Sequence, residues 1–212
     1  MPLSNFNGNT FVAFLDISGF KELMKDKQLT VQALDWFYQS GFNAIRTQNR
    51  ANTIEGIFVS DCGILFVRDI NQSIPEQLDA LLLVIKAINE KVLRYDIMLT
   101  TSVSYGHFSY QEKIEFQGIE KNPLHGLAYV DAFLDNETGK PKIQPGQCRI
   151  LKDNLPETLN IDNPFIRKKG KHYFYYWNVQ NSNRIDEFLY DYNDSYNQKY
   201  LGFKKALKKY QQ

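Results

Sequence analysis

Cysteine is scarce in this chain, occurring only at Cys62 and Cys148. Two thiols make no disulfide framework. Histidine occurs three times, and no second thiol or His stands at zinc spacing from Cys62, which argues against a structural zinc. An excess of one charge is missing too. The net charge of +1 gives no bulk attraction to nucleic acid or an acidic membrane, so any anion binding must come from a local cluster. No apolar run approaches a membrane span, and the polar, Asn-containing residues 1–10 lack the apolar stretch of a secretory signal. A reducing cytoplasm is the expected setting, with neither nucleic acid nor membrane as partner. Internal repeats and low-complexity linkers are absent as well.

What is present is enough apolar material for a packed core: 43% hydrophobic and 14% aromatic residues in 212. The chain is organised around Phe11–Phe20. Phe11 to Leu15 form an unbroken apolar run, the pattern of a short strand buried on both faces. The run ends on Asp16, and Ser18 and Gly19 then suit a tight turn into a helix. Asp16 is either a turn residue bonding nearby N–H groups or a metal ligand at the rim of a sheet.

Thr30 can cap a helix to about Gln48, with Val31, Leu34, Phe37, Phe42 and Ile45 mostly on one face. Residues 53–67 read as a hairpin whose turn carries Ser60, Asp61, Cys62 and Gly63. Ser73 and Glu76 have capping-box spacing, and Leu78 to Val92 carry a 3.6-residue apolar stripe. A strand follows over 97–108, and a shorter one around Lys113–Phe116 is expected to pair with it. Gly126 to Leu134 reads as a helix ended by Asp135, Asn136, Thr138 and Gly139. Residues 141–152 read as a strand bent by Pro145 and Gly146. Arg167 to Lys171 form a basic turn before an aromatic strand, His172 to Val179. The Tyr- and Lys-rich tail from Arg184 reads as helical. The expected organisation is a catalytic domain over 1–180 and a helical extension over 181–212, packed on the domain or on a dimer partner.

The order to residue 108 is β-α-β-β-α-β, so the expected fold class is α+β: a ferredoxin-like βαββαβ core with an extended, mostly antiparallel sheet. Its first and third strands are antiparallel neighbours, which places Asp16 beside Asp61. Paired carboxylates repel unless a cation neutralises them, and oxygen ligands suit Mg²⁺ or Mn²⁺. Backbone N–H groups of Ser18, Gly19 and Phe20 at a helix start can hold phosphate oxygens. The cluster at 167–171 either adds positive charge to a transition state or is a solvated turn.

These residues carry a resemblance. Phe14-Leu15-Asp16-Ile17-Ser18-Gly19-Phe20 resembles the first metal motif of the class III nucleotidyl cyclases, and Val59-Ser60-Asp61 their second metal aspartate. Gly126-Leu127-Ala128-Tyr129-Val130-Asp131-Ala132 resembles their Gly-led helix beside the nucleotide. Lys169-Gly170-Lys171 resembles their late lysine turn that contacts triphosphate. The resemblance spans roughly residues 11–179. It implies a homodimer, two Mg²⁺ or Mn²⁺ on Asp16 and Asp61 with the Ile17 carbonyl as an extra ligand, and phosphate contacts from Lys169 or Lys171. It departs where the purine is read: Ile57 and Pro123 stand where adenylyl and guanylyl cyclases place purine-reading side chains. Val130, Asp131 and Leu134 fill the region of their usual Asn and Arg. The short chain, with Ser60-Asp61-Cys62 and Ser104-Tyr105-Gly106, is similar to the pyrimidine cyclases of bacterial Pycsar antiphage systems. That implies UTP or CTP as substrate, a 3′,5′-cyclic monophosphate as product, and a separate effector that reads it.

Other residues have two readings each. Tyr105 lines a base or packs at a strand end; Ile57, and Glu55 or Asn52, contact a base or belong to the surface. His107 and His125 are chemical groups or hydrogen-bonders. Lys204, Lys205, Lys208 and Lys209 form a solvated face or touch nucleic acid. Rival functions are a non-catalytic nucleotide-sensing domain, a purine cyclase, and a ferredoxin-like RNA-binding module, the last disfavoured by the apolar central strands.

Overall fold

A computed structural model of the chain describes residues 3–48, 53–111, 114–116, 119–121, 123–157 and 159–211. Asn52 and Lys113 lie outside them. The apolar run lies within β1 (Phe6–Ile17), which is hydrogen-bonded to a strand on each side. A strand so placed meets protein above and below, which is why Phe11 to Leu15 carry no polar residue. After a single turn, α1 (Phe20–Leu23), and the long α2 (Lys27–Gln48), the chain enters the hairpin β2 (Ile54–Val59) and β3 (Cys62–Val67). Helix α3 (Ile74–Arg94) and strand β4 (Leu99–Tyr110) complete the βαββαβ core. The Ser73 N–H donates to the Glu76 carboxylate at 3.0 Å, closing the expected capping box.

The main sheet has the order β2-β3-β1-β4-β8-β10-β9. Strands β8 (Cys148–Leu151), β9 (Ile166–Lys169) and β10 (His172–Tyr175) extend the core, and β4 with β8 is the parallel pair in an otherwise antiparallel sheet. Helices α2 and α3 cover the face carrying Phe11, Ala13, Leu15 and Ile17. Helix α4 (Leu127–Thr138) covers part of the other face, where Val12 and Phe14 meet Ala128 and Ala132. The tail folds as α5 (Ile185–Asp194) and α6 (Lys199–Lys209), whose Phe188, Tyr192, Phe203 and Leu207 join the larger core. Among the described residues no helix is long and apolar enough to cross a membrane.

Several local expectations are corrected. Helix α2 buries Ala33, Phe37, Ser40, Gly41 and Ala44, whereas Val31 and Phe42 are 59% and 62% exposed. Small residues face the sheet because the ring of Phe58 needs the room. A Cβ on Gly41 would stand 2.2 Å from Phe58 Cζ. Gly41→Ala is therefore expected to destabilise by about 1–3 kcal/mol from overpacking, despite the better helix propensity of Ala; a denaturant melt measures it. Strand β5 (Ile114–Phe116) pairs with β6 (Ile119–Lys121), not with β4, whose end instead pairs with β7 (Leu124–His125). Helix α4 runs past Leu134 to Thr138, because Asp135 and Asn136 find buried partners that hold them in the helix. Residues 141–147 form a loop after a cis Lys140–Pro141 bond, and β8 begins only at Cys148.

Candidate metal centre and its surroundings

Three local features bring Asp16 to Asp61. In the β1–β3 ladder Asp16 stands opposite Cys62. The Ile17 N–H donates to the Asp61 carbonyl at 3.1 Å, tying the hairpin turn to the end of β1. Ser60 takes the left-handed conformation (φ 54), and the Tyr38 hydroxyl on α2 donates to its carbonyl at 2.8 Å. The hairpin is thus a two-residue turn, Ser60–Asp61, with Cys62 and Gly63 already in β3. One carboxylate oxygen from each aspartate and Cys62 Sγ all lie within 4.8 Å of one another. Cys62 Sγ donates to Asp16 Oδ1 at 3.5 Å.

Burial first, and then the charge of Asp61, push the Asp16 carboxyl up from 3.8 to about 7, with Glu137 on α4 adding to the shift. Burial, Asp16 and Asp61 push the Cys62 thiol up to about 12. Both shifts have burial as their first cause and the neighbouring carboxylate charge as their second. The donors fit a divalent cation: hard oxygens dominate, and the Ser18 hydroxyl, buried without a partner among the described residues, lines a cleft with Asp16. The folded, metal-free chain holds the Asp16 proton more tightly than the unfolded chain does. Its stability therefore falls as pH rises from about 4 to 7. Below pH 7 a cation must displace that proton, so Mn²⁺ affinity is expected to drop about tenfold per pH unit. Calorimetric titrations at pH 6, 7 and 8 check this, through both affinity and proton release.

The cleft has a volume of about 430 Å³. Asp16, Ser18, Gly19 and Thr100 line it beside Glu137 of α4, and Lys142, Gln144 and Tyr196 line it too. The other expected site residues distribute unevenly. The Ser18 N–H donates to the Met98 carbonyl at 2.9 Å, so that group is committed and does not serve a phosphate. Gly19 (φ 78) and Phe20 open α1, which at one turn adds only a weak dipole. Ile57, half-buried, packs with the cluster on the Asp16 face. Tyr105 packs edge-on against Phe11, with ring centroids 4.9 Å apart, in the core covered by α2 and α3. Odd-numbered positions of β4 face that side, so within one chain Tyr105 is on the opposite face from Asp16. Lys169 and Lys171 flank Gly170 (φ 60) and line a separate pocket, not the aspartate cleft. His107 Nε2 lies 2.8 Å from Asn7 Oδ1, as a hydrogen-bonder would.

Sequence reasoning missed what supports this cleft. Arg149, fully buried, holds Asp135 through Nε–Oδ2 at 2.7 Å and Nη2–Oδ1 at 2.9 Å. Ser102 Oγ donates to Asp135 Oδ2 at 2.7 Å, and His172 Nε2 lies 2.8 Å from Oδ1. Arg149 Nη1 also donates to the Pro141 carbonyl at 2.6 Å, fixing the loop that carries Lys142. Next along α4, Asn136 accepts from Thr100 Oγ1 at 2.9 Å, and Thr100 stands opposite Asp16. The available signal was Asp135-Asn136-Glu137 continuing the α4 period instead of ending it.

No protein-family model matches the chain, and no curated protein does. Solved structures do. The adenylyl cyclase CyaB from P. aeruginosa superposes with a TM-score of 0.53 at 19% identity, covering 70% of this chain and 79% of that one. The guanylyl cyclase Cya2 gives 0.54 at 12% identity, covering 82% and 93%. The guanylate cyclase domain of RhGC from Catenaria anguillulae, in complex with GTP, gives 0.54 at 14%, covering 82% and 97%. At these identities the likeness is one of fold. The chain has a class III nucleotidyl-cyclase-like fold: a central, mostly antiparallel sheet with flanking helices and a candidate acidic metal centre at its rim.

Proposed function

We propose that the protein is a metal-dependent nucleotidyl cyclase that converts a nucleoside triphosphate to its 3′,5′-cyclic monophosphate and pyrophosphate. The observation that carries this reading is the meeting of Asp16, Asp61 and Cys62 at the end of β1, inside a nucleotidyl-cyclase-like fold. Asp16 and Asp61 would hold two Mg²⁺ or Mn²⁺, with the Ile17 carbonyl as an extra ligand. Cys62 stands beside the two carboxylates with its proton retained, so oxygen atoms supply the ligands, as suits Mg²⁺ or Mn²⁺. When bound, such ions supply Lewis acidity toward the ribose 3′-hydroxyl and neutralise the departing pyrophosphate. The chain's own part is positioning. Ser18 Oγ offers an uncommitted hydroxyl to a phosphate oxygen, beside the Gly19 and Phe20 backbone. Lys142 brings positive charge to the same cleft from the loop pinned by Arg149.

Lys169 and Lys171 reach the phosphates, in this reading, from a second copy of the chain. The outer face of α4 offers Leu127, Val130 and Leu134 as an exposed apolar stripe at helical spacing, suited to a homodimer with sites at its interface. The substrate we favour is a pyrimidine, UTP before CTP, because apolar Ile57 and Pro123 stand where purine readers belong; a product of this kind serves as a messenger for a separate antiphage effector. A purine substrate is the second reading, favoured by the adenylyl and guanylyl cyclases among the similar structures. Product identification after incubation with all four triphosphates and Mn²⁺ tests both. Cyclic UMP or CMP supports the first, cyclic AMP or GMP the second, and nucleotide binding without any cyclic product would indicate a sensing domain.

A further inference from the structure

The Asp16 cleft opens toward a second cavity. Lys142, Gln144 and Tyr196 line both. The second pocket, of about 540 Å³, lies between β10, the loop before β8 and the C-terminal helices. Its volume is that of a small-molecule site. Its walls are aromatic. Tyr176 and Phe188 have ring centroids 6.0 Å apart, Phe188 and Tyr192 5.4 Å, and Tyr192 stacks on Phe203 at 4.7 Å. Tyr196 adds its edge to Phe203 at 6.0 Å. Around these rings stand four exposed lysines: Lys140, Lys142, Lys169 and Lys171. None of the four makes an ion pair among the described residues, and no Asp or Glu lines the pocket.

Apolar rings alone would recruit any greasy ligand, and lysines alone any polyanion. Together they select a molecule with a flat ring at one end and negative charge at the other. Stacking on aromatic faces suits every nucleobase, and unpaired ammonium groups suit phosphate. The net charge near zero leaves these lysines as a local positive field. We propose that this pocket is a second ligand site, for a nucleotide whose base lies among the aromatic rings and whose phosphates meet the lysine rim. It adjoins the Asp16 cleft through Lys142, Gln144 and Tyr196, and Lys140 is the rim lysine that the proposed catalytic site leaves unused; with no Asp or Glu in its lining it needs no divalent ion.

Equilibrium dialysis of the full chain in EDTA tests this, with UMP, AMP, uridine and inorganic triphosphate as probes. UMP or AMP should bind wild type and Asp16→Ala alike, and uridine at least about tenfold more weakly. Lys140→Glu, a surface change, should weaken nucleotide binding about tenfold. Leu189→Trp, which fills the pocket, should abolish it, with circular dichroism melts confirming that both variants fold. No nucleotide binding in EDTA overturns the proposal. So does binding unaffected by both variants, or triphosphate binding as tightly as nucleotide. Binding that requires Mn²⁺ and is lost in Asp16→Ala also overturns it, by placing the nucleotide at the metal centre.

Discussion

Asp16→Ala and Asp61→Ala are each expected to cut cyclic-nucleotide formation by about a thousandfold or more, equivalent to roughly 4 kcal/mol of transition-state stabilisation. The reason is that no described side chain near either aspartate can replace its charge. Cys62 holds its proton up to about 12, and Glu137 projects from α4 rather than from the sheet rim. Stability should move the other way. Asp16 is half-buried beside a like charge and titrates near 7, so at pH 8 without metal it is held ionised at a cost. Asp16→Ala should leave the metal-free melting temperature unchanged or raise it. A residue kept for structure would show the opposite. Steady-state product formation and thermal melts on the same samples separate the two roles.

The largest stability effect should come from Asp135. Arg149 is fully buried, and Asp135 is its carboxylate partner, also bonded by Ser102 and adjacent to His172. Asp135→Ala leaves a guanidinium in the interior with its main counter-charge gone, a change that costs about 3–5 kcal/mol. In a chain of this size that lowers the melting temperature by about 10 °C. The pair as a whole is less valuable than that number suggests, because desolvating both charges offsets much of their attraction. An Asp135→Leu, Arg149→Met double variant should therefore recover most of the lost stability. It should still lose activity, since Arg149 no longer holds the Pro141 carbonyl and the Lys142 loop is freed. Melts and activity of the single and double variants give both quantities.

Much of the core was legible because its signals are periodic and local. The unbroken run Phe11–Leu15 marks a central strand, and the α3 stripe behind the Ser73–Glu76 capping box marks a helix. The Asp16–Asp61 pairing followed from topology alone, since in a βαββαβ sheet β1 and β3 must be neighbours. What the sequence hid depends on close approach. Gly41 and Gly63 sit under the ring of Phe58, so α2 turns small residues inward and leaves Phe42 outside, against its hydrophobicity. Asp135 and Asn136 look like helix-ending residues until Arg149 and Thr100, distant in sequence, supply their partners. The commitment of the Ser18 N–H to Met98 is likewise a tertiary fact. So is the aromatic pocket, whose walls come from β10 and from helices assigned only a docking role by composition.

The most direct test of the metal centre is Mn²⁺ binding followed by electron paramagnetic resonance on the full chain at pH 8. Wild type should deplete the free-ion signal with saturable stoichiometry, and Asp16→Ala and Asp61→Ala should each abolish or weaken that binding by about a hundredfold or more. Equal Mn²⁺ binding by wild type and both variants would contradict the assignment of Asp16 and Asp61 as ligands.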